Sequence, residues 1–112
     1  MGTMTYWILD EHNDPCPATL SEWGVWFEGN DRLVDRTELH TPGGVVVIST
    51  VFLGIDHGFG RGRPVLFESM TFEGVNDGEQ DRYCTWDKAV AGHKRMVAAS
   101  TVRPIEASFQ EP

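Results

Sequence analysis

The stretch that decides the fold is Val45–Phe72, which reads VVVISTVFLGIDHGFGRGRPVLFESMTF. Two runs rich in β-branched and aromatic residues, Val45–Ile55 and Val65–Phe72, flank a loop that carries glycines, arginines, an aspartate and a histidine. Such runs on either side of a glycine-bearing turn predict a β-hairpin. We therefore expect the two runs to be paired strands at the centre of a small sheet.

The first run, Val45–Ile55, has apolar residues at both its odd-numbered and its even-numbered positions. Val47 and Val51 fall on one face of the predicted strand, and Ile48 and Phe52 fall on the other, together with Thr50. A strand that is apolar on both sides is typical of a central position. We expect both of its faces to be at least half covered.

The N-terminal third predicts one strand and one helix. Thr5–Leu9 is β-branched, aromatic and apolar, which favours a short strand, and a polar loop that includes Cys16 follows it. Thr19 and Glu22 have the spacing of a capping box, so a helix is expected over residues 20–28. Its expected apolar stripe consists of Leu20, Trp23, Trp26 and Phe27.

A second helix is predicted near the C-terminus. Thr85 is a suitable N-cap, and Asp87 lies in the first turn, where the helix dipole favours negative charge. The helix is expected to end near Ser100, because the remaining residues include two prolines. Its expected apolar stripe consists of Trp86, Ala89, Val90, His93 and Val97.

The order of these elements predicts an α+β fold. A small, mostly antiparallel sheet of about four strands would carry two helices packed on one face. A chain of 112 residues has the length of one domain. We expect residues 1–100 to form that domain and residues 101–112 to be a loosely ordered C-terminal tail.

The charge of the chain restricts its partners. The net charge is −8, from 17 acidic and 9 basic residues. This balance argues against binding to nucleic acid, which needs a basic stripe, and against anionic membranes, but it permits a partner with a basic surface. No leader or membrane-spanning run is visible, so a cytoplasmic location is expected. Cys16 and Cys84 lack zinc-site spacing, and we predict reduced thiols, no metal and no cofactor.

Three blocks carry a resemblance to a known group of proteins. They are STVFLGIDHGFG (Ser49–Gly60), PVLFESM (Pro64–Met70) and YCTWDKAVAGH (Tyr83–His93). They resemble a family of small proteins encoded by phages and prophages, and the likeness covers most of Met4–Val97. The resemblance implies a phage accessory protein in the cytoplasm of a bacterial host, where such proteins often bind host components.

One set of residues predicts a ligand pocket. Asp56 and His57 could meet His93 if the second helix covers that strand end, and such a meeting would suit a metal or acid–base chemistry. In the alternative interpretation, His93 is a hydrogen-bonded core histidine and Asp56 caps backbone N–H groups of the loop. The candidates for binding a metal or a phosphorylated ligand are Asp56, His57, Arg61, Arg63, Glu68 and His93, with Cys84 as a further possible ligand.

A second set predicts partner binding. Its members share an acidic loop and are Glu73, Asp77, Glu79 and Asp81. They could attract a basic partner, although a solvated loop would look the same. Three functions stay open. The first is binding of a host protein so as to modulate or inhibit a host defence factor, the second is ligand binding or catalysis at the pocket, and the third is a role as a virion or scaffold component. The oligomeric state is not predicted, and an enzyme is the less favoured interpretation.

Overall fold

The computed structural model describes residues 5–58, 62–74 and 76–109, with side chains described as far as residue 101. Its elements in chain order are β1 (Tyr6–Leu9), β2 (Pro15–Ala18), α1 (Leu20–Gly29), β3 (Leu33–Thr41), β4 (Gly44–Phe52), β5 (Phe67–Phe72), β6 (Gln80–Tyr83) and α2 (Trp86–Phe109). The α+β prediction is confirmed: α2 packs on a four-stranded antiparallel sheet, and α1 packs on a second sheet of two strands.

The main sheet has the strand order β3-β4-β5-β6, with antiparallel neighbours throughout. The central position predicted for β4 and its pairing with β5 are confirmed. Pro42 and Gly43 form the turn between β3 and β4. β4 ends at Phe52 rather than Ile55, because Gly54 takes a left-handed backbone conformation (φ 76°) that ends the strand.

The sequence analysis missed β2. Cys16 lies opposite Ile8 in a two-stranded sheet with β1, in a segment predicted as a loop. Pro15 and Pro17 concealed this strand, because proline is depleted in strands, yet an edge strand tolerates it. The turn before it depends on Asp10, whose carboxylate accepts from the backbone N–H groups of residues 12 and 14 at 2.8 and 3.0 Å.

Helix α1 begins as predicted. Thr19 Oγ1 accepts from the Glu22 N–H at 3.1 Å, and the Glu22 carboxylate accepts from the Thr19 N–H at 2.8 Å. The predicted placement of Leu20 in the packed stripe is wrong, since 60% of this residue is exposed. The rings of Trp23 and Phe27 instead pack around residue 54, so the first turn of the helix extends beyond the packed region.

Aromatic rings join the N-terminal unit, defined as β1, β2 and α1, to the main sheet. The ring centroids of Trp26 and Phe27 lie 5.6 and 6.2 Å from that of Phe52. The backbone adds a bridge between Tyr6 and residue 55 and a 2.9 Å hydrogen bond from the Trp7 N–H to the carbonyl of residue 54. The shared core consists of Leu9, Phe52, Leu66, Phe67, Tyr83 and Ala89.

Helix α2 lies across all four strands of the main sheet. The predicted N-cap is confirmed, because the Thr85 hydroxyl accepts from the Lys88 N–H at 3.1 Å. The helix continues to Phe109, past the end that the sequence analysis gives it at Ser100. Residues 110–112 lie outside the described residues, and the loosely ordered tail stays a prediction.

Candidate functional site

The two faces of the main sheet follow from its register. Ile48, Thr50 and Phe52 are fully buried on the face that α2 covers. The alternate residues of β4 point to the opposite side, together with the residues paired beside them. We call this side the open face; its central residues are Val45, Val47, Ser49, Val51, Met70 and Phe72, and its flanks are Arg36, Glu38, Glu68 and Arg82.

No described helix or strand packs on the open face. Val45 and Phe72 are 41% and 44% exposed, and Val47 is half-buried between its strand neighbours Glu38 and Phe72. The predicted cover over both faces of β4 is therefore supplied on one face alone within the described residues. An apolar row on the solvated side of an antiparallel sheet departs from the usual polar pattern.

Two ion pairs flank this apolar row. Arg36 contacts Glu38 at 3.4 Å on β3, and Arg82 Nε donates to Glu68 Oε2 at 3.0 Å between β6 and β5. Both pairs are accessible to solvent, so each contributes little to the free energy of unfolding. Each pair joins one positive and one negative side chain, so the pairs add no net charge to the flanks of the open face.

An acidic segment follows the open face where β5 ends. Glu73, Asp77 and Glu79 come after Phe72 in the chain, and all three are exposed. The Asp77 carboxylate accepts from the Glu73 N–H at 2.6 Å, which holds Glu73 in a left-handed conformation (φ 73°). Asp81 is exposed as well, on β6. The acidic residues predicted to bind a partner thus lie in and beside one connection.

Asp56 fills the structural role that the sequence analysis gave as its alternative. Its Oδ1 accepts from the backbone N–H groups of Gly58 and Val65 at 2.7 and 2.8 Å, which closes the loop after β4. The neighbouring His57 N–H donates to the Val65 carbonyl at 2.9 Å. Arg61 lies outside the described residues.

The structure does not bring Glu68 together with His93. Glu68 lies on the open face, whereas His93 is buried beneath α2 on the other side of the sheet. Arg63 is exposed, and its carbonyl lies 3.9 Å from the sulfur of Cys84. Ligand binding by these residues stays a prediction. In the described part of the chain, no three His, Cys, Asp or Glu side chains are grouped so that they could hold a metal ion.

His93 instead belongs to a buried row of hydroxyl groups. Its Nδ1 lies 2.7 Å from Thr50 Oγ1, and its Nε2 lies 2.8 Å from Thr37 Oγ1. The Thr50 hydroxyl also bonds Ser69 Oγ at 2.6 Å. The Asp35 carboxylate approaches Nε2 at 3.6 Å from the solvent side. Both ring nitrogens therefore have partners, as burial of a polar group requires.

Burial sets the protonation behaviour of this cluster. Burial lowers the pKa of His93 because the charged imidazole loses water, and the Asp35 carboxylate opposes that shift. Burial likewise raises the pKa of the Tyr83 phenol, against a smaller opposing effect of the Ser69 hydroxyl. Among the described residues, no well-formed hydrogen bond satisfies the Tyr83 hydroxyl.

The sequence analysis found His93 but not its partners. Asp35 lies on the helix-covered face opposite Thr50, in a register that runs without interruption from the turn at Thr41 and Gly44; the β-bulge at Val34 comes only after it. Threonine and serine residues on neighbouring strands can be assigned to the same face of the sheet only when the register of the strands is known. The signal that the sequence offered for these partners was the alternation of inward and outward residues along each single strand.

The chain was compared with protein-family models, with curated proteins and with solved structures, and none of the three comparisons finds a match. The phage-family resemblance therefore stays a prediction. Among the described residues, no helix combines the length and the apolar character needed to cross a membrane.

Proposed function

We propose that this protein is a small binding protein whose open face docks a partner protein with a basic, partly apolar surface. The observation that carries the proposal is the apolar row of β4 on a sheet face without a described cover. Exposed apolar groups that lie together on one surface commonly mark sites of protein interaction.

The apolar contact would centre on β4 and the end of β5. Phe72 is 44% exposed and stands beside Val47, and Val45 is the next residue along that side of β4. An aromatic ring among aliphatic side chains is the kind of anchor on which interface energies often concentrate. Met70, further along β5, adds an adaptable side chain of the type that suits binding surfaces.

Charge favours a basic partner. Glu73, Asp77 and Glu79 follow the exposed ring of Phe72, and the whole chain carries a net charge of −8. Complementary charge at the rim of an apolar contact increases the rate of association and disfavours acidic competitors. Binding through this surface is therefore expected to weaken as ionic strength rises, because salt screens exposed charges.

The partner we propose is a bacterial host protein. This part of the proposal rests on the sequence resemblance to phage-encoded proteins, whose accessory members often act by contact with host components. Docking on the open face would then redirect or inhibit that host factor without chemical turnover.

The test compares two charge-introducing variants. Immobilised wild-type protein, a Val47→Glu/Phe72→Glu variant and a Val25→Glu control are exposed to bacterial lysate, and each captured protein is purified and its affinity measured. Val25 suits the control because it is 73% exposed on α1, away from the open face. We expect a basic partner whose binding is lost in the double variant, kept in the control and weakened by salt.

Two results would contradict the proposal. One is capture that never exceeds background under any ionic strength. The other is a partner that binds the double variant as tightly as the wild type, which would place the interface elsewhere. Circular dichroism of all three proteins separates loss of binding from loss of the fold.

A further inference from the structure

One edge of the main sheet is formed by β3. β3 is an edge strand, since it pairs with β4 on one side and with no described strand on the other. Edge strands expose unpaired N–H and C=O groups that can pair with another strand. β3 is nine residues long and reads LVDRTELHT, which places oppositely charged residues on either side of Thr37.

The backbone of β3 determines which residues can pair outward. The two-residue turn closes on the pair Thr41 and Gly44, which exchange hydrogen bonds in such a hairpin. The alternation then turns the backbone groups of Thr37 inward to β4. It turns those of Arg36 and Glu38 outward, away from β4. The Arg36 N–H donates there to the carboxylate of the exposed neighbour Asp35 at 2.8 Å, so pairing with another strand would replace this contact.

We propose that two copies of this chain associate through antiparallel pairing of their β3 strands, with the two-fold axis at Thr37. In this register, Arg36 of each copy lies opposite Glu38 of the other, and all four residues have outward backbone groups. The pairing would form about four backbone hydrogen bonds and two cross-strand ion pairs. Thr37 would face its own copy across the axis, and paired threonines are favourable neighbours.

Other registers are less compatible. A shift that places Glu38 opposite Glu38, or Arg36 opposite Arg36, sets like charges against each other. A shift toward the turn places Arg36 opposite Pro42, which has no N–H to donate. The 3.4 Å contact between Arg36 and Glu38 within one strand shows that the two side chains already lie on the same side of the sheet.

The dimer contact differs from the contact proposed for the open face, because it uses the backbone of β3 and its Arg36 and Glu38 side chains rather than the apolar row of β4. Dimerisation would join two main sheets into one continuous sheet and set two open faces side by side. A partner with two matching sites would then gain avidity from the doubled surface.

Charge exchange tests the register directly. Arg36→Glu places Glu opposite Glu38 in both cross-strand pairs, and Glu38→Arg places Arg opposite Arg36, so each variant should dimerise at least about tenfold more weakly than wild type. Mixed in equal amounts, the two variants restore both attractive pairs and should form a heterodimer. The double exchange Arg36→Glu/Glu38→Arg should also restore the dimer.

The measurement is analytical ultracentrifugation over a concentration series, with circular dichroism to establish that each variant is folded. The monomer mass is 12.5 kDa, and the expected species has twice that mass. Arg82→Glu is the matched control, because it reverses a comparably exposed arginine on the opposite edge strand, β6, and should leave the dimer unchanged.

Three results would overturn the proposal. These are a wild-type monomer at every concentration, failure of the mixed single variants to associate, and loss of the dimer in Arg82→Glu. A dimer that is abolished by Val47→Glu and is insensitive to exchange at Arg36 would assign self-association to the open face instead.

Discussion

The covered face of β4 is mainly apolar, with Val46, Ile48 and Phe52, yet it includes one buried polar residue, whereas the open face carries exposed apolar residues. The fully buried side carries Thr50, which forms a polar row with Ser69 and His93. The side without a described cover carries Val45 and Val47. A buried face is expected to be apolar and a solvated face polar, so Thr50 on the covered side and the valines on the open side are the residues that depart from expectation.

The difference lies in what covers each face. Polar groups are tolerated beneath α2 because the helix supplies His93, whose two ring nitrogens bond hydroxyl groups of the sheet. The valines on the other side have no such complement in the described chain. A sheet whose buried polar groups are satisfied within the molecule, and whose apolar open face has no described cover, is suited to bind something from outside.

The largest expected effect is on stability, and it compares two adjacent residues of β4 that lie on opposite faces of the sheet. Ile48→Ala removes a fully buried side chain beneath α2 and should lower the free energy of unfolding by about 2–5 kcal/mol. Val47→Ala, one residue earlier and on the open face, should lower it by less than about 1 kcal/mol. Urea unfolding measures both, and equal losses would show that the open face is covered.

A second prediction concerns the closeness of α2 to the sheet. A methyl group at Gly92 would overlap the ring and hydroxyl of Tyr83, so Gly92→Ala should destabilise the fold by about 1–3 kcal/mol. Gly24→Ala is the matched control in α1, where nothing lies within 4 Å of an added Cβ. This control should stabilise by about 0.5–1 kcal/mol, because alanine favours helices. Stabilisation by Gly92→Ala in thermal or urea unfolding would mean that α2 packs less closely than described.

A third prediction concerns the hydroxyl row. Thr50→Val removes a hydroxyl that bonds both Ser69 and His93, and it leaves buried polar atoms without partners. We expect a loss of about 1–3 kcal/mol in the free energy of unfolding. Ser49→Val, on the open face, should change it by less than about 0.5 kcal/mol. A neutral result for Thr50→Val in urea unfolding would argue that the row is not a satisfied network.

The smallest expected effect is on pH dependence. The pKa of His93 is lowered in the folded state, mainly by burial, so the unfolded chain binds the proton more readily. The stability that neutral His93 contributes is therefore present above about pH 6.5 and is lost as pH falls from there toward the folded pKa. His93→Gln should flatten this decline, measured by urea unfolding between about pH 7.5 and pH 5.

A companion variant gives the opposite outcome. Asp35→Asn removes the carboxylate that partly opposes the effect of burial, so the pKa of His93 should fall further and the acid-induced loss should grow. The other groups that bond or face His93 are the hydroxyls of Thr37, Thr50 and Ser69, which do not titrate in this range. If the decline of the wild type and of His93→Gln were the same, His93 would not be the group responsible.

Local signals predicted much of this fold. The capping box at Thr19 and the N-cap at Thr85 each depend on neighbouring residues, and the structure has both. The two-sided apolar pattern of β4 placed that strand at the centre of the sheet, as observed. These features were readable because their partners lie a few residues apart in the chain.

Features that depend on distant partners were not readable. β6 is polar and mostly exposed, so no apolar alternation marks it, and its strand character comes from pairing with β5. The cluster around His93 joins α2 to residues that lie 43 and 56 positions away. Thr37 and Thr50 share one face through the pairing of β3 with β4, and the packing of α2 on that face brings His93 to them.

The attachment of the N-terminal unit determines what an optical experiment on this protein would detect. Of the four tryptophans, Trp7, Trp23 and Trp26 lie in that unit, and its rings meet the main sheet at Phe52. Intrinsic fluorescence will therefore report chiefly on whether the unit is attached, while far-ultraviolet circular dichroism also samples the large sheet and α2. Two unfolding curves that fail to coincide would reveal partial opening at this aromatic junction before the rest of the molecule unfolds.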